Sequence, residues 1–369
     1  MVVAEAKATS CWDLNPGLSA EVIDLAASKQ NAATGFAHIQ LADALDCYSS
    51  WPRPTVIVSD GAYGVSGFPG DPSTPAGLTE WYEPHVAAWS QFVLPETSLW
   101  FWGTEVGWAT VHPLLARYGW EYRTLHVWDK SNAHIAGNVN SKTIRRFPIV
   151  TEVCAHYVRD VKLPTPDSEP LPIKEWLRHE WRRTGLPLSK TNEACGVKNA
   201  ATRKYFTQCH LWYFPPPEMM VRLATYANEH GRPTSRSYFS LDGRQPLTAE
   251  EWSKLRAKWN HTHGITNVWQ ELAIRGQERL KTSEAKVVHL NQKPLRLMER
   301  IIVATSDPDD VVWEPFGGLC TAAVAAVRTG RMCFSAEVVP AFHRKALARL
   351  QRELELMLPP RQHLLTPEL

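Results

Sequence analysis

Short apolar runs recur through the first 160 residues, each about one strand long and closed by polar or turn-forming residues. They lie at Phe36–Leu41, Thr55–Ser59, Ser98–Trp102, Tyr122–Trp128 and Glu152–Val158. β-Branched and aromatic side chains dominate them. Helix-length stretches, Leu78–Phe92 and Trp108–Tyr118, fall between. Strands alternating with helices predict an α/β fold with a mostly parallel sheet covered on both faces.

The pattern then breaks. Residues 163–172 hold four prolines and no helical or strand period, which predicts a linker. Residues 173–279 are polar and basic and lose the strand-like runs. From about Val287 the alternation returns, with a helix at Leu295–Ala304, a strand–turn–helix through Val311–Arg328, and a strand at Met332–Ala336. An amphipathic helix, Pro340–Met357, follows. The simplest arrangement is one sheet made from residues 1–160 and 280–369, with 161–279 inserted. Closing such an insertion costs little, because loop entropy grows only logarithmically with length.

Composition narrows the class. The chain has 369 residues, 44% hydrophobic and 21% charged, enough for a full α/β core and a second module. No run of about 18 apolar residues predicts a membrane span, and Met1–Ser10 lacks the features of a secretory leader. Seven scattered cysteines without a C-x-x-C pair favour a reducing cytoplasm over disulfides or zinc. Cys195, Cys209 and His210 are the nearest approach to a ligand set. Sixteen tryptophans, Trp100, Trp102, Trp108 and Trp128 among them, are expected mainly in the core.

Two strand ends carry the chemistry. The run Val311-Val312-Trp313-Glu314 stops at Pro315 and passes through Phe316-Gly317-Gly318-Leu319-Cys320-Thr321 into an alanine-rich helix. Glycines let a ligand approach the backbone, and free N–H groups at a helix start favour an acidic or polar one. Far earlier, Asp60-Gly61-Ala62-Tyr63 closes another apolar strand.

Taken in order, Asp60 to Tyr63, a basic insert, His289-Leu290-Asn291-Gln292-Lys293-Pro294, the glycine turn and a strand ending in Glu337 form a pattern. It resembles the permuted β-group of DNA amino-methyltransferases, the adenine-N6 and cytosine-N4 enzymes. Their catalytic Asp/Ser/Asn-Pro-Pro-aromatic motif precedes the recognition domain, and their cofactor motif follows it. Leu41–Leu45 and the strand end Trp128-Asp129-Lys130 share the likeness. Two positions depart: Gly61-Ala62 replaces the paired prolines, and Glu314 and Cys320 replace an Asp and a Gly of the cofactor motif.

The resemblance implies a Rossmann-like S-adenosylmethionine-dependent sheet with an inserted, mainly helical DNA-recognition domain. It assigns catalysis to Asp60, Gly61, Ala62 and Tyr63. The carboxylate of Asp60 and the carbonyl of Gly61 would aim the lone pair of an exocyclic amine, and Tyr63 would stack on a flipped base. Cofactor contacts would come from Asp43, Gln292, Lys293, Pro294, Glu314, Pro315, Phe316, Gly317, Gly318 and Thr321. Glu337 would receive the ribose hydroxyls. Adenine N6 is favoured because the motif starts with Asp60; cytosine N4 is the alternative. Without prolines to stiffen them, Gly61-Ala62 must be held by neighbours, and a DNA-binding protein with a retired active site is a second reading. A nicotinamide dehydrogenase would need G-x-G-x-x-G early in a contiguous fold, which is absent.

The insert supplies the expected partner, double-stranded DNA. Lys174–Arg183, Ser189–Cys195 and Asn199–Phe206 read as helices, and Ala194-x-Gly196-Val197 as the turn of a helix-turn-helix. Residues 174–210 hold eight Lys/Arg against three Glu. Asn199, Thr202, Arg203 and Lys204 would face a groove. Lys142, Arg145 and Arg146, in the polar basic loop Asn138–Arg146, would meet phosphates. The resemblance also implies a bacterial or phage origin, a dimer, and a restriction nuclease whose cleavage the methylation blocks.

Overall fold

The structure is a computed structural model that describes residues 22–23, 35–66, 70–131, 143, 145, 147–166, 169–274, 279–280 and 292–357. The first strands and helices are β1 (Val22–Ile23), β2 (Phe36–Leu41), α1 (Ala44–Cys47), β3 (Val56–Ser59), α2 (Leu78–Phe92), β4 (Ser98–Gly103), α3 (Glu105–Arg117) and β5 (Trp120–Asp129). β6 (Thr151–Arg159) and a short hairpin, β7 (Lys162–Leu163) with β8 (Leu171–Pro172), lead into the helices α4 (Ile173–Arg183), α5 (Lys190–Cys195), α6 (Ala200–Tyr205), α7 (Pro217–His230) and α8 (Ala249–Ser253). The chain then forms β9 (Val268–Gln270), α9 (Leu295–Thr305), β10 (Val311–Glu314), α10 (Thr321–Arg328), β11 (Met332–Glu337) and α11 (Pro340–Met357).

Among the described residues, nine strands form one sheet in the order β1-β2-β11-β10-β3-β4-β6-β5-β9. The late strands β10 and β11 lie between β2 and β3, so both ends of the chain build one sheet. The pairings from β2 through β4 are parallel. β3 and β4 are buried along their whole lengths, which is why they read as continuous apolar runs rather than alternating ones. One buried layer joins the sheet to α9, α10 and α11, and another joins it to α2 and α3.

β6 breaks the parallel order. It runs antiparallel to both β4 and β5. Its first residues therefore lie at the same edge as the carboxyl ends of its neighbours, with Val153 opposite Gly103 and Glu152 opposite Trp128. Binding sites of open α/β sheets form at that edge.

The helical module has its own core, including Trp176, Trp181, Phe206, Met220, Leu223, Phe239 and Trp252. The carboxylate of Glu180 accepts the Phe239 N–H at 2.7 Å and pairs with Arg183, tying α4 to the following loops. Sequence periodicity places the first three helices within a residue or two; α7 and α8 are not among the expected elements. A second difference concerns the end of the insert. Residues 268–270 fall inside the expected insert, yet they pair with β5 as the edge strand of the main sheet. The module's core reaches only to Leu255. Among the described residues, no helix is long and apolar enough to cross a membrane.

Three buried histidines give the fold an acid limit. His156 stacks on Trp100 at 4.4 Å, and His126 lies against Trp269 at 4.6 Å. Neither ring nitrogen of His126 has a hydrogen-bond partner among the described residues. Burial lowers His85 and His126 to about 4 and His156 to about 3. Each stays neutral in the fold, so below about pH 6.5 the unfolded chain binds more protons. Their stabilisation is complete above that pH and is lost as pH falls toward the folded values. Linkage predicts a loss on the order of 1–2 kcal/mol per histidine at pH 5. Denaturant unfolding at pH 7 and pH 5 tests this, and equal midpoints would count against it.

Candidate active site

The glycine turn is held by side chains from four elements. β10 ends at Glu314, whose buried carboxylate accepts the N–H groups of Ala322 at 2.8 Å and Ala323 at 3.0 Å. It thus satisfies two of the donors that a helix start leaves open. Burial raises this carboxyl to about 8, against the opposing pull of those N–H groups and of Arg349. Gly318 and Cys320 both adopt left-handed backbone, φ 53° and 51°. A Cβ on Gly317 would come within 2.8 Å of the Ser335 hydroxyl, so close packing on β11 requires glycine there. From α11, Arg349 donates to the Leu319 carbonyl and to the Thr321 hydroxyl, each at 3.0 Å. Glu314 and Thr321 thus shape the turn and also line the cleft beside it.

β11 ends at Glu337, where one carboxylate oxygen accepts Gly318 N–H at 2.6 Å and the other Val339 N–H at 2.7 Å. The carboxylate keeps acceptor capacity for a hydroxyl donor. Burial raises this carboxyl, opposed by those backbone donors. Asp43 caps α1 by accepting Leu45 N–H at 2.9 Å and stays exposed at the mouth. A cleft of about 550 Å³ runs from Asp43 and Glu337 past the glycine turn to Asp60. Among the described residues its lining includes Asp43, Asp60, Asp71, Glu80, Glu314 and Glu337 and one lysine, Lys293.

Asp60 follows β3 at the centre of the sheet. Its Oδ1 receives the Lys293 ammonium at 2.8 Å and the Tyr63 hydroxyl at 2.8 Å. Among the described residues, Oδ2 has no such partner. Lys293 is 1% exposed and also reaches Glu152 Oε2 at 3.3 Å. Burial alone would lower Lys293, but Asp60 and Glu152 outweigh it and hold the group above its ordinary value. Burial likewise pushes Glu152 up, yet Lys293 and Lys130 together hold it below the usual carboxylate range.

The Gly61-Ala62 departure has a physical counterpart. A Cβ at Gly61 would meet the Phe316 ring at 2.6 Å, so glycine lets that ring pack on the backbone. Ala62 is buried, and its carbonyl accepts the Tyr82 hydroxyl at 3.1 Å. Phe316 and Tyr82 thus hold a segment that prolines would otherwise stiffen.

Tyr63 is 5% exposed and lines the cleft, with the Lys293 ammonium 4.9 Å from its ring centroid. Trp81 and Phe316, whose centroids lie 5.1 Å apart, add further aromatic surface there. Gln292 and Pro294 sit beside Lys293 ahead of α9, and Gln292 lines the cleft. Pro315 and Gly61 line it too.

In the insert, Gly196 ends α5 with φ 69°, and Val197 N–H bonds the Asn192 carbonyl at 2.9 Å, forming the expected turn. Asn199, Arg203 and Lys204 are exposed around α6. Thr202 is not free to face a groove. Its hydroxyl contacts Thr191 at 2.7 Å and Asn192 at 2.8 Å, joining α5 to α6. Arg145 is exposed, whereas Lys142 and Arg146 lie outside the described residues, as do His289 and Asn291. Cys195 is buried in the helical core, and Cys209 is exposed.

Glu152, Tyr82 and Arg349 were not picked out from sequence as site residues, and Lys130 entered only through the strand end Trp128-Asp129-Lys130. Glu152 left one trace, a carboxylate inside an otherwise apolar strand.

A glycine turn between β10 and α10, an acid closing the next strand and an acid–lysine pair at a third strand end define a cofactor-binding α/β fold. The chain belongs to the N6/N4 DNA methylase family, whose model matches residues 55–348. It is 40% identical over 65 residues to the type II methyltransferase M.HinfI of Haemophilus influenzae, covering 18% of each chain. It is 33% identical over 92 residues to the DNA adenine methyltransferase YhdJ of Escherichia coli, covering 25% of this chain and 30% of that one. The chain thus matches under a third of the length of either relative. M1.HpyAVI, solved as a SAM complex, superposes with a TM-score of 0.47 at 16% identity, over 85% of this chain and 99% of that one.

Proposed function

We propose that the chain transfers a methyl group from S-adenosylmethionine to the exocyclic N6 of an adenine flipped out of double-stranded DNA. The observation that carries this reading is the division of labour at Asp60. One oxygen is occupied by Lys293 and Tyr63, and the other is left for a substrate amine beside the glycine turn.

The cleft suits such a cofactor. The carboxylates of Asp43 and Glu80 in its lining favour a cationic ligand, and the remaining acceptor capacity of Glu337 suits ribose hydroxyls. When bound, S-adenosylmethionine supplies a methyl group activated on a sulfonium. Glu337, the glycine turn and Asp43 orient it, and Phe316 packs between the turn and Gly61. Asp60 Oδ2 and the Gly61 carbonyl accept the amine hydrogens and turn its lone pair toward the methyl. The cofactor would release its methyl group to the amine nitrogen and keep the bonding electron pair on sulfur. The proton shed by nitrogen is accepted at Asp60 Oδ2 on its way to solvent. Trp81 is the face on which the flipped base stacks.

Adenine is favoured over cytosine because the motif opens with Asp60, and YhdJ is named an adenine enzyme. The exposed Arg203, Lys204 and Asn199 would meet DNA. A retired active site is disfavoured because Tyr82 and Phe316 hold Gly61-Ala62 in place. Protection of DNA against a cognate nuclease fits the same reading.

Transfer of labelled methyl from S-adenosylmethionine to unmethylated plasmid tests it directly. Incorporation that requires both protein and DNA is expected, and none at saturating protein would refute it. Glu337→Gln should weaken cofactor affinity about tenfold or more, as loss of a charge-assisted acceptor does. Isothermal titration measures this, and unchanged affinity would remove Glu337 from the site.

A further inference from the structure

Lys293 is almost completely enclosed, and Asp60 is only one of its two carboxylate partners. Its ammonium lies 2.8 Å from Asp60 Oδ1 and 3.3 Å from Glu152 Oε2. The Tyr63 hydroxyl spans the same two oxygens, at 2.8 and 3.3 Å. Four groups therefore close a ring: Asp60, Lys293, Glu152 and Tyr63. The other Glu152 oxygen pairs with Lys130, whose ammonium lies 4.8 Å from the Trp128 ring centroid. The two lysines and two carboxylates balance in formal charge.

Topology explains how residues so far apart meet. β3 ends at Asp60, the reversed strand β6 begins beside Glu152, and β5 ends one residue before Lys130. All three points lie at one edge of the sheet, and Lys293 enters from the segment ahead of α9. We propose that Glu152, backed by Lys130, is a positioning residue for methyl transfer: it shares Lys293 with Asp60 and so keeps Asp60 Oδ2 turned to the substrate amine. This rests on the methyltransferase reading above.

The physical argument is one of competition. A buried ammonium needs carboxylate partners to offset its lost hydration. With Glu152 present, Lys293 is held between two acceptors and engages a single oxygen of Asp60. Without it, Lys293 and Tyr63 both turn fully on Asp60, and the free oxygen is drawn into the pair. The groups facing Lys293 are Asp60 and Tyr63 after β3, Trp102 on β4, and Glu152 and Cys154 on β6. Burial raises the Cys154 thiol far above its ordinary value, so it stays uncharged. Among the described residues, the two carboxylates counter the effect of burial on Lys293.

The test compares Glu152→Gln and Glu152→Asp with the wild-type chain. Gln should lower kcat about 10- to 100-fold while the Kd for S-adenosylmethionine stays within about threefold, the pattern of misplaced reacting groups. The high-pH limb of kcat should also move to lower pH, because Lys293 loses one of the carboxylates that keep it charged. Glu152→Asp, which retains the carboxylate, should recover most of the rate. A variant that is less heat-stable but keeps its kcat and pH limb would overturn the proposal, leaving Glu152 a structural role only.

If the wild-type chain transfers no methyl at all, the functional reading fails on its own. The Lys293 titration still decides the inference, read by 15N NMR of labelled lysine. Lys293 should remain charged at pH 10.5 in the wild-type protein. It should lose its proton at least about one pH unit lower in Glu152→Gln, the size expected for removing an adjacent opposite charge. An unchanged titration would overturn it.

Discussion

Replacing Asp60 with alanine should lower the single-turnover rate of methyl transfer about a thousandfold or more. Asp60 is the carboxylate that faces the cleft from the end of β3, and its free oxygen is the acceptor that aims the amine. Losing a preorganised hydrogen-bond partner at a reacting centre costs on the order of 100- to 1,000-fold. Here the orientation of the lone pair is lost with it. The cofactor should still bind within about threefold, because Glu337 and the glycine turn are untouched. Asp60→Asn separates the two effects. It keeps the shape and a carbonyl acceptor but removes the charge that accepts a proton, so it should fall between wild type and alanine. Rapid-quench kinetics with saturating cofactor measure all three, and an alanine variant as fast as wild type would remove Asp60 from the chemistry.

The second large effect is on stability. Lys293→Met should cost about 3–5 kcal/mol, since removing one member of a buried ion pair leaves its partners uncompensated. Lys293 is 1% exposed, against 20% for the Asp60 side chain and 11% for that of Glu152. The sign of the pH dependence follows from Glu152, which the two lysines hold below the usual carboxylate range. Its contribution is present above the unfolded value of about 4.3 and is lost as pH falls through the lower folded value. In the methionine variant Lys130 alone supports that carboxylate, so its advantage shrinks. The gap between variant and wild type should therefore be largest near neutral pH and narrow in acid. Denaturant titrations from pH 8 to pH 4 give the comparison, and a loss under about 1 kcal/mol at pH 8 would show that the pair is solvated rather than buried.

Much of this architecture was legible because burial leaves a pattern in sequence. β3, β4 and β10 are enclosed on both faces, so their apolar runs and abrupt ends were plain, and Asp60 and the glycine turn mark two of those ends. The turn after α5 was readable from Gly196. The ring around Lys293 was not. Glu152 reaches Asp60 only because β6 runs backwards, and strand direction is a long-range property that no local window records. The contacts of Tyr63 were hidden for a similar reason: Lys293 and Glu152, which meet its ring and hydroxyl, come from distant parts of the chain. Thr202 suited a helix surface by composition, yet its hydroxyl was needed between α5 and α6. α7 was legible but overlooked, since Met220, Leu223, Ala224 and Ala227 fall on one face at helical spacing and all four are buried. Two of the glycine-turn residues expected at the cofactor, Glu314 and Thr321, line the cleft and also bond the helix start and Arg349, contacts that the motif alone does not reveal.

The most direct test of the central claim is nucleoside mass spectrometry of DNA treated with S-adenosylmethionine and either wild-type or Asp60→Ala protein. N6-methyladenine with the wild type and none with the variant is the predicted result. N4-methylcytosine lost in the variant would keep the site and change the base. No methylated nucleoside with wild-type protein, or equal amounts from both proteins, would contradict the account.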